Sequence, residues 1–242
     1  VMQLVKGLNS NVKLIKGESL QSHNEVDLVA IESELMSKAK LLPKTHPHKF
    51  VTLTEAVASD MGKVVKIDLK DYNQDLIPES ISAQIDKIMT QLIRNAVCHG
   101  VESQSLRVAL SKQTQGVVKV SSEINAGQLV VKIKDDGQGI NIMKIKARII
   151  KSKLMGESDI EQTSNKDLIR YLFTPGFSTV DAQDMTHAGH GIGLYSVKHL
   201  INELSGKLFL KFKRREYTEF TISIDLNTVQ NRQTNNVIEG MI

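Results

Sequence analysis

The chain has 242 residues, 40% hydrophobic and 24% charged, with a formal net charge of +4 and a pI near 9.0. That is the composition of a globular protein with one domain or two, and no apolar run approaches the ~18 residues of a membrane-crossing helix. Cys98 is the single cysteine, which excludes an internal disulfide and a cysteine-rich zinc site, and the lack of Trp with only 4% aromatics favours an anionic small ligand over nucleic acid.

Val1 stands where an initiating Met would, which predicts a piece of a longer protein. No secretory leader is evident, and a reducing, cytoplasmic setting is expected. Val26, Val29, Leu35 and Ala39 fall near one face, predicting an N-terminal helix over 24–42. Pro43 and Pro47 then predict a linker across 42–48. Thr54 is expected to cap a short helix over 55–61 that Gly62 ends. Residues 63–69 alternate like a strand. Pro78 or Ser80 opens the clearest helix, where Ile81, Ile85, Ile88, Met89, Leu92, Ile93, Ala96 and Val97 keep helical spacing.

Strands are predicted at 116–123 and 128–134, joined by a turn at Asn125-Ala126-Gly127. Helices follow at 141–152, 165–172 and 191–204, then strands at 207–212 and 218–226. Lys211, Lys213, Arg214 and Arg215 read as the wet face of an edge strand and its turn. The order predicts an α/β sandwich: a mixed, mostly antiparallel sheet with helices on one face, plus the N-terminal helical segment. The expected boundaries are 1–49 for that segment and its linker, 50–228 for the main domain and 229–242 for a polar tail.

Four segments carry polar or glycine patterns. On the strong helix, Gln91, Asn95 and His99 fall four residues apart beside Arg94, so they share a stripe next to the apolar face. Such a stripe either faces a ligand, with the Asn95 carboxamide oxygen suited to phosphate-bound Mg²⁺, or is a solvated flank capped by Gly100. A strand then runs into Asp135-Asp136-Gly137-Gln138-Gly139-Ile140. Glycines there let a ring approach the backbone and a carboxylate can accept an exocyclic amine, although a plain β-turn uses the same residues. Leu172-Phe173-Thr174-Pro175-Gly176-Phe177-Ser178-Thr179 suits either a hinge with an anchored aromatic or a loop pinned by Phe. Gly189-His190-Gly191-Ile192-Gly193-Leu194 opens a helical pattern whose first backbone amides suit phosphate. Leu194 departs from the dinucleotide fingerprint, and no Walker Gly-Lys-Ser/Thr occurs.

In order and context these segments resemble the ATP-binding domain of histidine protein kinases, in the superfamily shared with gyrase and the heat-shock chaperone ATPase. They match its asparagine box, first glycine box, phenylalanine box and second glycine box. Arg94-Asn95-Ala96 with His99-Gly100-x-Glu102, and Pro175-Gly176-Phe177-Ser178-Thr179, are closest to chemotaxis kinases of the CheA type. Ala58-x-x-Met61-Gly62-Lys63-Val64 is similar to the opening of that domain, and the resemblance covers about residues 50–226.

The resemblance implies a Bergerat-type fold that binds ATP and Mg²⁺. It implies Asn95 on the metal and Asp135 on the adenine amine, with Gly137, Gly139 and Ile140 shaping the pocket. Phe173 and Phe177, with Ser178 and Thr179, would frame a lid over roughly 174–190. Gly189, His190, Gly191, Ile192, Gly193 and Leu194 would lie at the phosphates, with His99 and with Arg94 or Lys198 nearby. The implied reaction passes the γ-phosphoryl group to a histidine on another domain or chain, for relay to a response-regulator aspartate. A histidine-containing phosphotransfer domain and a response regulator are the implied partners, with a dimer in the full-length protein and any membrane tether in parts outside this chain. Residues 1–49 would end a dimerisation or phosphotransfer region.

Three departures qualify these expectations. Gln91 stands where superfamily ATPases carry Glu and chemotaxis-type kinases usually carry His, and glutamine is no general base at neutral pH. Cys98 replaces a usual Asp near the metal, which predicts a weaker kinase. Arg215-Glu216-Tyr217-Thr218 replaces a Gly-x-Gly-Thr turn. The alternatives are a non-catalytic nucleotide-sensing module of the same fold and a superfamily ATPase or serine kinase.

Overall fold

Strand alternation builds the sheet. The structure, a computed structural model, describes residues 46–177 and 193–229, all within the unit that begins at Thr45. The helix expected over 24–42 and the tail beyond residue 229 lie outside the described residues. Strands β2 (Gly116–Asn125), β3 (Gln128–Asp135) and β5 (Tyr217–Asp225) bury alternate side chains: Val118 and Val120, Leu129, Val131 and Ile133, then Phe220, Ile222 and Ile224. Lys119, Lys134, Thr221 and Ser223 occupy the alternate positions and keep that face wet. With β1 (Val65–Asp71) and β4 (Lys207–Lys213) the order is β1-β2-β3-β5-β4. β1 and β2 pair in parallel and the other pairs are antiparallel. The β2–β3 loop closes on Ala126 (φ +48°) and Gly127 (φ +76°), two left-handed residues that match the strand twist.

Helices α1 (His46–Asp60), α2 (Glu79–Asn95) and α7 (Gly193–Glu203) cover the apolar face. On α2, Ile81, Ile85, Ile88, Met89, Leu92 and Ile93 are all buried, at the spacing of one helical stripe. They join Phe50, Val57, Val197 and Ile201 with the inward strand residues in one core. The mixed sheet with helices on one face is therefore the observed architecture. A second apolar cluster joins Ile145 and Ile149 of α4 (Ile142–Lys151), Ile160 of α5 (Glu157–Gln162), Leu168 of α6 (Asn165–Arg170) and Phe177.

Local expectations need correction at α1. The helix already begins at His46, with Pro47 in its first turn, where a missing N–H costs no intrahelical bond. Thr54 is buried in the helix interior, and its hydroxyl donates to the Phe50 carbonyl at 2.8 Å instead of capping an N-terminus. The C-terminus is as expected: Gly62 has φ +59°, with Lys63 N–H donating to Ala58 O at 2.8 Å and Gly62 N–H to Ser59 O at 3.0 Å. The short helices α3 (Gln104–Ala109) and α5 escaped the sequence reading, because six residues hold too few apolar repeats.

Candidate functional site

Helix α2 does not stop at Asn95 but widens into a π turn over Ala96–Gly100. Its carbonyl ends meet an ammonium: Lys63 Nζ donates to the carbonyl oxygens of Val97, Cys98 and Val101 at 2.9, 2.7 and 2.8 Å. Gly100 thereby reaches the end of β3, where side chains have no room. A Cβ on Gly100 would sit 2.8 Å from the Asp135 carboxyl carbon, and one on Gly137 would sit 2.0 Å from Gly100 O. Gln138 completes the contact, its N–H donating to Gly100 O at 2.8 Å and its Nε2 to His99 O at 2.6 Å.

Asp135 is 4% exposed in this enclosure. Burial pushes its carboxyl up to about 7, opposed by backbone N–H groups of Gly137 and Thr218 and assisted by the nearby Asp136 and Glu102 charges. The Gly137 N–H donates to its Oδ1 at 3.0 Å. A buried carboxylate with acceptor capacity beyond the Gly137 bond can receive an amino donor, and the two glycines are what let the π turn close against it.

The other end of the site lies toward the start of the polar stripe. Gln91 Nε2 donates to Asn95 Oδ1 at 3.5 Å, and a Cβ on Gly193 would lie 2.3 Å from that Nε2. The start of α7 therefore abuts Gln91. Gln91 and Gly100 are nine positions apart along α2 and its π turn, ~13 Å at helical rise. Arg94 is half-buried on the same helix. His99 is exposed, and local desolvation with the Lys63 ammonium holds its imidazole below the usual range. Burial pushes the Cys98 thiol up, so it stays protonated. A groove of about 430 Å³ between α2 and α7 is lined by Asp86, Lys87, Thr90, Gln91, Ser196, Val197 and Leu200, and Asp135 takes no part in it.

The remaining expected residues divide in two. Gly139 (φ +65°) stands against the Lys213 carbonyl, 2.3 Å from where its Cβ would be, so it admits the β4–β5 turn. Arg215 N–H donates to Gln138 O at 2.7 Å across that turn. Ile140 packs on the second cluster, and Phe173 and Leu194 on the main core. Phe177 is buried beside Tyr171, with ring centroids 5.9 Å apart. Lys198 is exposed on α7. Ser178, Thr179, Gly189, His190, Gly191 and Ile192 lie outside the described residues.

Sequence reasoning passed over the ionic ring behind Asp135. Arg107, 1% exposed on α3, donates to Glu102 Oε2 at 3.0 Å and to Asp136 Oδ1 and Oδ2 at 3.1 and 2.7 Å. Lys112 Nζ donates to Glu102 Oε1 at 2.8 Å and to the Asp136 and Gly137 carbonyl oxygens at 2.7 Å each. Glu102, Arg107 and Lys112 share one stretch but Asp136 lies on another, so the folded register is what closes the ring. Thr218, buried on β5 opposite Asp135, was noticed only as the end of an altered turn.

The profile of the family described as histidine kinase-, DNA gyrase B-, and HSP90-like ATPase matches residues 81–228. The chemotaxis protein CheA of Rhizobium meliloti is 29% identical over 191 residues, covering 78% of this chain and 24% of that protein. The sensor histidine kinase CheAY of Helicobacter pylori is 30% identical over 159 residues, covering 66% of this chain and 20% of that one. The solved histidine kinase domain of the blue-light activated histidine kinase of Erythrobacter litoralis is 20% identical, covering 74% of this chain and 59% of that one, at a TM-score of 0.37. The chain thus spans a quarter or less of the length of these two curated relatives.

Proposed function

This chain belongs to the histidine kinase-, DNA gyrase B-, and HSP90-like ATPase family, and on that premise we propose that residues 50–228 bind ATP with Mg²⁺ and pass the γ-phosphoryl group to a histidine. That histidine lies on another domain or chain, a response-regulator aspartate is the downstream acceptor, and the full-length protein is a dimer. The observation that carries the reading is Asp135, a buried carboxylate walled by two glycines that touch each other through backbone. In this reading Asp135 accepts the adenine amine, and the phosphates extend toward Asn95 and Gln91 on the same helix.

Asn95 fits a metal bound to phosphates. Asn95 is half-buried, and among the described residues its Oδ1 accepts one long 3.5 Å bond, from Gln91, which leaves it acceptor capacity for a cation. Asn95 would hold Mg²⁺, which would supply charge neutralisation for the phosphates when bound. Gln91 orients by hydrogen bonding and takes no proton, so attack by water gains no general base. His99, neutral near pH 7 because its imidazole is held low, is a donor for the nucleotide. Phe173 and Phe177, seated on different apolar clusters, anchor the ends of the turn that leads to Ser178 and Thr179.

Calorimetric titration with ATP and ADP, with and without Mg²⁺, tests this. Wild type is expected to bind, Asp135→Asn to lose binding, and Asn95→Ala to lose the Mg²⁺-dependent part. A folded wild type that binds neither nucleotide refutes the reading. The engagement of Gln91 with Asn95, with no carboxylate in its place, favours a second reading: a nucleotide sensor that binds without transfer. Phosphohistidine formed in a mixture with a histidine phosphotransfer domain eliminates that one.

A further inference from the structure

The Lys112 ammonium holds two successive carbonyl oxygens, those of Asp136 and Gly137, at 2.7 Å each. A planar trans peptide points its N–H opposite to its C=O, so pinning an oxygen aims the hydrogen of the same unit. The N–H opposite the Asp136 oxygen belongs to Gly137 and donates to Asp135 Oδ1 at 3.0 Å. The N–H opposite the Gly137 oxygen belongs to Gln138 and donates to Gly100 O at 2.8 Å. One side chain therefore orients both amides, with Arg107 Nη1 adding a longer 3.4 Å bond to the Asp136 oxygen.

Building on the ATP-binding reading above, we propose that Lys112 is a positioning residue for recognition of the base amine. By gripping the outer oxygens of the Asp136–Gly137 corner, it aims Gly137 N–H at Asp135 and so sets the carboxylate that reads the base. The grip is itself fixed. Glu102 Oε1 neutralises the ammonium at 2.8 Å, and the Glu102 side chain is only 1% exposed. Arg107 holds Glu102 Oε2 and clamps the Asp136 carboxylate through a fork of two bonds. Val117 N–H donates to Asp136 Oδ1 at 2.9 Å, tying the corner to β2. Removing the Lys112 head leaves all the Arg107 bonds in place, with only the long 3.4 Å one still on the Asp136 oxygen, so the loss falls on the aim of the two peptides rather than on the scaffold.

The test compares ATP with purine riboside triphosphate, which lacks the exocyclic amine, on wild type and Lys112→Met. Wild type prefers ATP. Lys112→Met is expected to lose about tenfold in ATP affinity while its affinity for the amine-free nucleotide changes less than about twofold, the worth of one charged hydrogen bond misaimed. The pH midpoint of the ATP preference should move upward, because the Gly137 N–H is among the groups that hold the Asp135 carboxyl down. Adding Glu102→Gln to Lys112→Met removes the leftover buried charge and keeps the comparison interpretable if the single variant unfolds. A variant that keeps the full preference for ATP, or that weakens both nucleotides equally, overturns the proposal while the ATP reading stands. A wild type that binds neither nucleotide overturns both.

Discussion

Asp135→Asn should stabilise the nucleotide-free domain at neutral and alkaline pH, although it removes a residue assigned to binding. The folded carboxyl titrates near 7 rather than 3.8, mainly because it is desolvated. Between those values the folded state holds a proton that the unfolded state has released, so wild-type stability falls as pH rises through that window. At ~1.4 kcal/mol per unit, a rise of about three units costs folding about 4 kcal/mol once both states are ionised. Asparagine keeps the shape and can accept the Gly137 N–H while carrying no charge. Urea denaturation of both proteins from pH 4 to 8.5 without nucleotide would measure the effect. The difference in unfolding free energy should grow in favour of the variant from about pH 4 and level off above about pH 8. Other titrating groups, His99 among them, are common to both proteins and cancel in the difference. Parallel stability curves would mean that the carboxylate is solvated, and the argument for a dry amine-reading pocket would fail with it.

Two further outcomes probe the scaffold. Gly137→Ala drives a Cβ to 2.0 Å from Gly100 backbone and should cost at least about 3 kcal/mol, whereas Gly176→Ala, left-handed (φ +72°) but in open space, should cost about 1 kcal/mol; thermal unfolding of the pair separates collision from strain. Lys63→Met leaves the Val97, Cys98 and Val101 carbonyls without their ammonium and should destabilise by about 2–3 kcal/mol in urea, with amide exchange accelerated first across the π turn; unchanged protection there would dismiss the capping role.

Burial with a simple period was readable from residues alone. The α2 stripe and the alternation in β2, β3 and β5 appear in the structure at the spacing expected, because one-sided burial imposes it. Features decided by distant partners were hidden. Pro47 reads as a breaker until one knows that it stands in the first turn of a helix. The π turn has no local signature, since the ammonium that satisfies its carbonyls comes from Lys63, far upstream. At the site, the Asp135 and Gly137 pattern was legible as a place of close approach. The value of Gly100 was not, because its meaning lies in Asp135, which the sequence leaves 35 positions away. Arg107 and Lys112 look like any charged residues on a polar stretch until the fold brings Asp136 to them.

The turn Tyr171–Phe173 sends Tyr171 and Leu172 into the smaller apolar cluster and Phe173 into the larger. Three consecutive side chains thus straddle a seam between two separately packed bodies. Apolar packing is local on each side of such a seam, and the 171–173 turn is where the two clusters are joined. The strand end that carries Asp135 runs through Ile140 into the smaller cluster, so one short stretch of chain touches both the site and that cluster.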